Sequence, residues 1–272
     1  MLHLVTAMYR YDGLLVAEYR DEAGLVEVVD YDGLRCLHFG TLARQSSMQL
    51  GHPGRPVIEY ERAMAAYLLF NPEPKRVLII GLGAGNLARF VLDACEHTRV
   101  DVVELRPLVV QVARQHFALE PDPRLRIAIG CGAEQVAQLR TQAAGHYDVI
   151  LVDAYHGAGM APAVASEEFF RHCRELLTDT GLLVSNLWRV GALPLPAVAA
   201  NMLKAFGLRV HMIPEGMVNM IAFAFADGFP RLALAPLETR AARLRQRLQL
   251  DFPAYLQGLH TSDPMGRLFI EQ

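Results

Sequence analysis

Short apolar runs separated by turn residues fill the first fifty residues of the chain, and this pattern is typical of β-strands. The pair Asp32-Gly33 stands between two such runs and indicates a hairpin, because both residues tolerate a positive φ. A segment rich in glycine and proline, residues 51–56, then interrupts the pattern and marks a predicted domain boundary. The predicted strands of this N-terminal β unit are residues 14–19, 25–29 and 34–39.

From residue 57 onward, helical periodicity of apolar positions alternates with short, almost wholly apolar runs. This alternation predicts a Rossmann-like α/β fold, in which helices cover both faces of a doubly wound sheet. The predicted strands are residues 77–80, 100–105, 125–129, 147–152, 182–187, 208–213 and 220–226. The predicted helices are residues 57–70, 86–95, 107–118, 166–177 and 195–206, with a further one after Gly132. We therefore predict an N-terminal unit over 1–55, a Rossmann-like domain over 56–228 and a helical tail over 229–272.

Composition removes several classes of protein from consideration. The 272 residues carry a net charge of −3 with both signs mixed along the chain, which indicates neither nucleic-acid nor membrane binding. No apolar run reaches the roughly eighteen residues of a membrane-spanning helix. The four cysteines are widely spaced and the N-terminus lacks a signal-peptide pattern, so we expect reduced thiols and a cytoplasmic location. No histidine belongs to a metal-binding motif, so we expect no metal.

A glycine-rich loop follows the first strand of the predicted Rossmann-like domain. Gly81, Gly83 and Gly85 let the backbone turn sharply and approach a ligand closely, although Asn86 breaks the dinucleotide fingerprint G-x-G-x-x-G. Glu104 ends the next strand, where a carboxylate can accept hydrogen bonds from both ribose hydroxyls. The alternatives are a turn that serves packing and a solvated acid at a strand end. We favour a site for an adenosine-containing cofactor, and NAD fits these residues as well as S-adenosylmethionine does.

A second acid, Asp153, ends the apolar strand 147–152 and should face the crevice where open α/β sheets bind ligands. A carboxylate there can orient an amine or accept its proton. The alternative is a cap on the following loop, a role that aspartate also fills well. Because the strand before it is otherwise apolar, we favour a catalytic role.

These residues resemble the spermidine synthase-like aminopropyltransferases, a family of polyamine synthases. The likeness runs from about residue 12 to 226, and its most specific part is the run 148–153 followed by Ser166-Glu167-Glu168-Phe169-Phe170. The other matching features are the pair Gln45-Ser46, the segment around Tyr60, and Val102-Val103-Glu104.

The resemblance implies a sheet of the S-adenosylmethionine-methyltransferase type and transfer of an aminopropyl group from decarboxylated S-adenosylmethionine to a small amine. It implies that Glu104 holds the ribose and that Asp153 accepts the proton of the amine. Cys131 and Gly132 would lie at the adenine, beside the glycine loop. Gln45, Tyr60, Tyr155 and His156 would contact the substrates. Members of the family commonly form dimers or tetramers, so the resemblance also implies a homo-oligomer.

Four positions depart from the family's pattern. Ala84, Cys131 and His156 stand where the family has acids, and Glu61 stands where it has histidine or glutamine. The losses remove negative charge that would attract a diamine and an aminopropyl ammonium. Two alternatives therefore stay open, an S-adenosylmethionine-dependent methyltransferase and a catalytically silent nucleoside-binding homologue. For Trp188, the only tryptophan, packing and substrate contact are equally expected.

Overall fold

The computed structural model describes residues 8–156, 159–189, 193–263, 266 and 268–270, apart from the side chains of Ala143 and His156. The N-terminal unit is a five-stranded antiparallel sheet with its strands in chain order. These are β1 (Tyr9–Arg10), β2 (Gly13–Asp21), β3 (Gly24–Tyr31), β4 (Leu34–His38) and β5 (Arg44–Gln49). The three predicted strands correspond to β2, β3 and β4. Strand β5 was missed because its sequence is mostly polar, yet Ser46 and Ser47 are buried against the larger domain.

The rest of the chain alternates strands and helices, as predicted. Its strands are β6 (Arg76–Ile80), β7 (Arg99–Glu104), β8 (Leu125–Ile129), β9 (Tyr147–Val152), β10 (Tyr155–His156), β11 (Gly159–Met160), β12 (Leu177–Trp188), β13 (Val210–Glu215), β14 (Asn219–Phe225), β15 (Leu232–Ala233) and β16 (Phe269–Ile270). Its helices are α1 (Glu59–Met64), α2 (Asn86–Ala94), α3 (Pro107–His116), α4 (Gly132–Ala143), α5 (Glu167–Leu176), α6 (Leu195–Phe206), α7 (Leu234–Leu248) and α8 (Phe252–Thr261).

Seven of these strands form one sheet in the order β13-β14-β12-β9-β6-β7-β8. Only β14 runs antiparallel to its neighbours. Alternate residues of β6 belong to two separate apolar clusters, Val77 and Ile79 to one and Leu78 and Ile80 to the other. Helices α2, α7 and α8 pack into the first cluster and α4, α5 and α6 into the second. The sheet is therefore covered on both faces, and the predicted doubly wound α/β fold is confirmed.

Two predicted elements differ from the structure. The helix predicted over 57–70 is α1 followed by a 3-10 helix, Ala65–Leu69, whose five residues are all buried. An amphipathic α-helix has one face exposed to solvent, whereas every residue of this 3-10 helix is buried. Strand β12 begins at Leu177, ahead of the predicted start at 182, because Leu177 already pairs with Tyr147 before a register shift. The predicted boundaries between the parts of the chain, at 55 and 228, stay predictions.

The order of the strands creates a crevice at one edge of the sheet. From β6 the chain adds β7 and β8 on one side and then returns to place β9 on the other side of β6. Ligands of open α/β sheets bind at such a reversal, beyond the carboxyl ends of the strands. Gly81 follows β6, Glu104 ends β7 and Asp153 follows β9, so all three meet at this edge. Among the described helices, none has the length and apolar character needed to span a bilayer.

Candidate active site

A cavity of about 530 Å³ lies over the crevice, between the two sheets. Of the predicted site residues other than His156, all except Gly85 line it. The main chain of His156 pairs with Gly159 in the short β10–β11 hairpin, and its side chain lies outside the described part of the structure. The N-terminal sheet contributes Ala23, Phe39, Arg44 and Gln45 to the wall. The site is therefore shared between the two sheets.

The glycine loop is fixed by close contacts with its neighbours. Gly81 has a φ of +96°, and a Cβ there would lie 2.2 Å from the carbonyl oxygen of Asp153. Gly85 has a φ of +80°, and a Cβ there would lie 2.9 Å from Leu119. Gly81 is thus needed where the loop crosses the end of β9, and Gly85 is needed for packing behind the loop. Together they hold the loop at the floor of the cavity.

Glu104 is held by the backbone on both of its carboxylate oxygens. The amide of Leu82 donates to Oε2 and the amide of Arg106 donates to Oε1, each at 2.9 Å. Burial raises the pKa of the Glu104 carboxyl, and the backbone donors, that of Arg106 first, oppose this rise. Each oxygen keeps a lone pair after accepting one hydrogen bond. Glu104 can therefore accept two further hydrogen bonds from a ligand with adjacent hydroxyls.

Asp153 is held in the same way by two side chains. The hydroxyl of Tyr60 donates to Oδ2 and the Asn186 amide donates to Oδ1, each at 3.0 Å. Burial raises the pKa of Asp153, while the donors Asn186 and Tyr60 lower it. The result is an oriented carboxylate with elevated basicity, a property suited to a group that accepts a proton.

An aromatic wall adjoins Asp153. The rings of Tyr155 and Trp188 stack with centroids 4.6 Å apart and planes 24° apart. The Tyr155 hydroxyl donates to the backbone oxygen of Asn186 at 2.6 Å, which fixes the ring. Trp188 therefore belongs to the lining of the cavity.

Three predicted contact residues occupy the remaining wall. Cys131 is half-buried and precedes α4, and a Cβ at Gly132 would lie 2.6 Å from Ile80. On the opposite side, Gln45 has a buried Nε2 with no hydrogen-bond partner among the described residues. A buried amide without a partner costs free energy, so this group is a candidate donor to a bound ligand.

The position at which the family carries an acid has an apolar environment here. Ala84 is fully buried in a cluster that joins the glycine loop to the N-terminal sheet and α3. The cluster consists of Val26, Val28, Leu37, Met48, Ala84, Val112 and Phe117. Among the described residues that line the cavity, the charged ones are Arg44, Glu104, Arg106 and Asp153. The lining is thus balanced between two cations and two anions.

A buried polar cluster lies behind the loop and was not predicted from the sequence. Arg89 donates to Asn86 Oδ1, which directs the Asn86 amide nitrogen towards Glu61 Oε1 at 2.9 Å. The other carboxylate oxygen of Glu61 is buried without a hydrogen-bond partner among the described residues. Burial raises the pKa of Glu61 to about 8, and the charge of Asp153 adds to this rise. Glu61 is therefore mostly protonated at neutral pH.

The elevated pKa of Glu61 should appear in the pH dependence of stability. In the unfolded chain Glu61 loses its proton near its ordinary value of 4.5, whereas in the folded protein it keeps the proton up to about pH 8. Between these two pH values the folded state binds one proton more than the unfolded state. The free energy of unfolding therefore falls as pH rises, by about 1.4 kcal/mol per pH unit. Glu61→Gln should lack this slope and gain stability relative to the parent from pH 5.5 to 8, as measured by urea unfolding. The exposed Glu238→Gln is the control, and parallel curves for the parent and Glu61→Gln would contradict the assignment.

Asn186 and Asn86 are the site residues that sequence reasoning missed. Asn186 and its neighbour Ser185 are the polar residues in the second half of β12, Leu182–Trp188, which is otherwise apolar. That interruption of an apolar strand near its carboxyl end was an available signal. For Asn86 the only signal was the broken glycine fingerprint, which gives no indication of its partners.

Together, fold and site define a Rossmann-like protein of the methyltransferase type, with a carboxylate-lined cavity at the point where the sheet reverses. The Spermine/spermidine synthase domain matches residues 58–190. The polyamine aminopropyltransferase of Neisseria meningitidis is 34% identical over 242 residues, which cover 88% of this chain and 90% of that protein. The chain belongs to the spermine/spermidine synthase family, and the resemblance found in the sequence is confirmed.

Two solved structures share the fold. A spermidine synthase in complex with the transition-state analogue AdoDATO has a TM-score of 0.68 at 20% identity, over 90% of this chain and 84% of that one. Human methyltransferase-like protein 13 in complex with SAH has a TM-score of 0.62 at 28% identity, over 71% of this chain and 93% of that one. A spermidine synthase and a methyltransferase-like protein therefore both resemble this chain in structure.

Proposed function

We propose that the protein transfers an aminopropyl group from decarboxylated S-adenosylmethionine to a small amine and releases methylthioadenosine. The observation that carries this proposal is the oriented, buried carboxylate of Asp153 at the reversal of the sheet. Its support is membership of a family whose relatives include polyamine aminopropyltransferases.

We infer that the nucleoside of the donor lies over the glycine loop. Glu104 offers two free lone pairs, which suit the two ribose hydroxyls, and Gly81 and Gly83 line the cavity beside it. Cys131 and Gly132 would border the adenine. The free amide of Gln45 would donate to the donor molecule from the opposite wall.

The reaction needs one proton acceptor and alignment. The acceptor amine gives a proton to the Asp153 carboxylate, and its nitrogen lone pair attacks the carbon of the aminopropyl chain that is bonded to sulfur. The carbon–sulfur bond breaks, and its electron pair returns to sulfur, which changes from a sulfonium to a neutral thioether. Tyr60 and Asn186 hold the carboxylate in place for this transfer. Positioning of the reactants and one base are sufficient for such a displacement.

The protein should discriminate only weakly between S-adenosylmethionine and its decarboxylated form. The cavity lining has two cations and two anions, Ala84 has an apolar environment, and Glu61 is mostly protonated at neutral pH. We expect the dissociation constants of S-adenosylmethionine and its decarboxylated form to differ by about tenfold or less, or about 1.4 kcal/mol. Calorimetry with both compounds at pH 7 measures this. A preference of several hundredfold for the decarboxylated form would contradict it.

The second candidate function is methyl transfer from S-adenosylmethionine, favoured by the likeness to human methyltransferase-like protein 13. One experiment separates the two functions. The protein is incubated with either donor and a panel of amines, and released methylthioadenosine and S-adenosylhomocysteine are quantified. Methylthioadenosine that depends on the amine supports aminopropyl transfer, whereas S-adenosylhomocysteine alone supports methyl transfer. The predicted homo-oligomeric state and cytoplasmic location stay predictions.

A further inference from the structure

Three polar side chains form a row across three adjacent strands at the edge where the cavity opens. Asp153 follows β9, Asn186 is on β12 and Asn219 begins β14. Because β14 runs antiparallel to the others, its first residue lies at the edge where the parallel strands end. Asn219 pairs with Trp188, which places it diagonally opposite Asn186, within reach of a side-chain contact.

The row is a directed chain of hydrogen bonds. Asn219 Nδ2 donates to Asn186 Oδ1 at 2.7 Å, and Asn186 Nδ2 donates to Asp153 Oδ1 at 3.0 Å. Asn186 is 1% exposed and Asn219 is 9% exposed, so water competes little for these groups. The hydroxyl of Tyr155 donates to the backbone oxygen of Asn186, whereas the side-chain oxygen of Asn186 accepts from Asn219.

The direction of this chain matters because the Asn186 amide has two possible orientations. In the orientation observed, its NH₂ group faces Asp153 and stabilises the carboxylate. In the flipped orientation, the amide oxygen would face the carboxylate and destabilise it. A donor fixed at Asn186 Oδ1 favours the first orientation over the second, and Asn219 supplies that donor.

We propose that Asn219 is a positioning residue, which fixes the amide of Asn186 so that it donates to Asp153 and keeps this carboxylate ionised and oriented. The consequence for catalysis rests on the proposed function, whereas the effect on the titration of Asp153 does not. Asn219 does not itself contact the Asp153 carboxylate and acts on it through Asn186.

Other groups also act on Asp153, and the test must separate them from Asn219. Tyr60 donates to the second oxygen of Asp153, and the charges of Asp153, Glu61 and Tyr60 influence one another. Tyr155 also lies within electrostatic range of Asp153. On the far side, Glu215 of β13 pairs with Asn219. A double-mutant cycle between positions 186 and 219 removes these constant contributions.

The experiment is a titration of the Asp153 side-chain carboxyl by carbon-13 NMR, on the full chain without ligand. The resonance is assigned by its loss in Asp153→Asn. Asn219→Leu keeps the size of the side chain but removes the donor, and we expect it to raise the midpoint of the Asp153 titration by about 0.5–1 pH unit. Asn186→Leu should raise it at least as much, and the double variant should match Asn186→Leu alone.

Two results would overturn the proposal. One is an unchanged midpoint in Asn219→Leu while Asn186→Leu shifts it. The other is an equal shift from Asn219→Leu in the presence and absence of Asn186, which would mean that Asn219 acts without Asn186. Asn219→Ala, which also removes the donor, serves as a second variant if the leucine prevents folding. Asn201→Leu, which removes a comparable amide donor to a backbone oxygen elsewhere, is the control and should leave the titration unchanged.

The rate of methylthioadenosine release gives a separate readout. We expect the acidic limb of kcat/KM to move to higher pH in Asn219→Leu by the same amount as the NMR midpoint, because Asp153 must be ionised to accept the proton. If the NMR shift appears but the parent protein releases no methylthioadenosine with any amine, the positioning role stands and the proposed function fails.

Discussion

Asp153→Asn is expected to lower kcat/KM for methylthioadenosine release by about 10²–10⁴-fold, the usual contribution of a positioned acid or base. An asparagine there has one oxygen, so it can accept from only one of the two donors, Tyr60 and Asn186, and it cannot take a proton from the amine. Binding of methylthioadenosine should change little, because Glu104 is at the end of another strand. The measurement is the rate of release under saturating donor, with affinity followed by calorimetry.

The matched control for this variant is at the other end of the same strand. Asp148 accepts hydrogen bonds from the backbone amides of Lys75 and Arg76, at 2.7 and 3.0 Å, far from the cavity lining. Asp148→Asn should therefore lower stability without abolishing activity. Undiminished release by a folded Asp153→Asn protein would refute the role of this carboxylate as the proton acceptor.

The parent protein should lose activity at acidic pH for the same reason. Burial raises the pKa of Asp153, so its proton is retained at a higher pH than in an exposed aspartate. Activity that needs the ionised form is present above this pKa and falls as pH drops through it. Tyr60→Phe removes one donor to the carboxylate and should move that acidic limb to still higher pH.

Glu104→Ala is expected to weaken methylthioadenosine binding by about 1–3 kcal/mol, roughly 5–150-fold, the range for hydrogen bonds to a charged group. The substitution removes the acceptor for two ribose hydroxyls and also the acceptor for the backbone amides of Leu82 and Arg106. Part of the loss therefore comes from a looser glycine loop. Calorimetry gives the affinity, and thermal unfolding shows whether the variant is folded.

Glu104→Gln separates the two contributions. Its oxygen can still accept one backbone amide, but its NH₂ group offers a donor where an acceptor stood. We expect it to lose affinity as well, with a smaller change in thermal stability than the alanine variant. Equal affinity of the parent and both folded variants would show that Glu104 does not hold the ribose.

The candidate site residues whose placement the sequence predicted are those that strand order alone determines. Gly81, Glu104 and Asp153 each end or follow a parallel strand, and parallel strands of one sheet end at the same edge. Apolar runs located these strand ends to within a residue or two. The edge, and the three residues on it, therefore followed from local patterns together with a general rule of topology.

The contacts that the sequence did not predict depend on registers between distant segments. Asn186 reaches Asp153 from 33 positions away, and Glu61 reaches Asn86 from 25 positions away. Neither spacing belongs to a helix or a hairpin, so no local periodicity indicates it. Strand β5 was missed for a related reason, since its polar serines contact Asn86, which is about 40 positions away in the chain.

The burial of Ala84 has a consequence for the residues that this position can accept. An aspartate introduced at this position would place a carboxyl in the buried apolar cluster that contains Val26, Leu37 and Phe117. Burying an unpaired polar group costs several kcal/mol, which is comparable to the whole net stability of a typical domain. Ala84→Asp is therefore expected to lower the stability of the folded protein. The N-terminal sheet and the glycine loop therefore constrain each other's side chains, because one apolar cluster joins them.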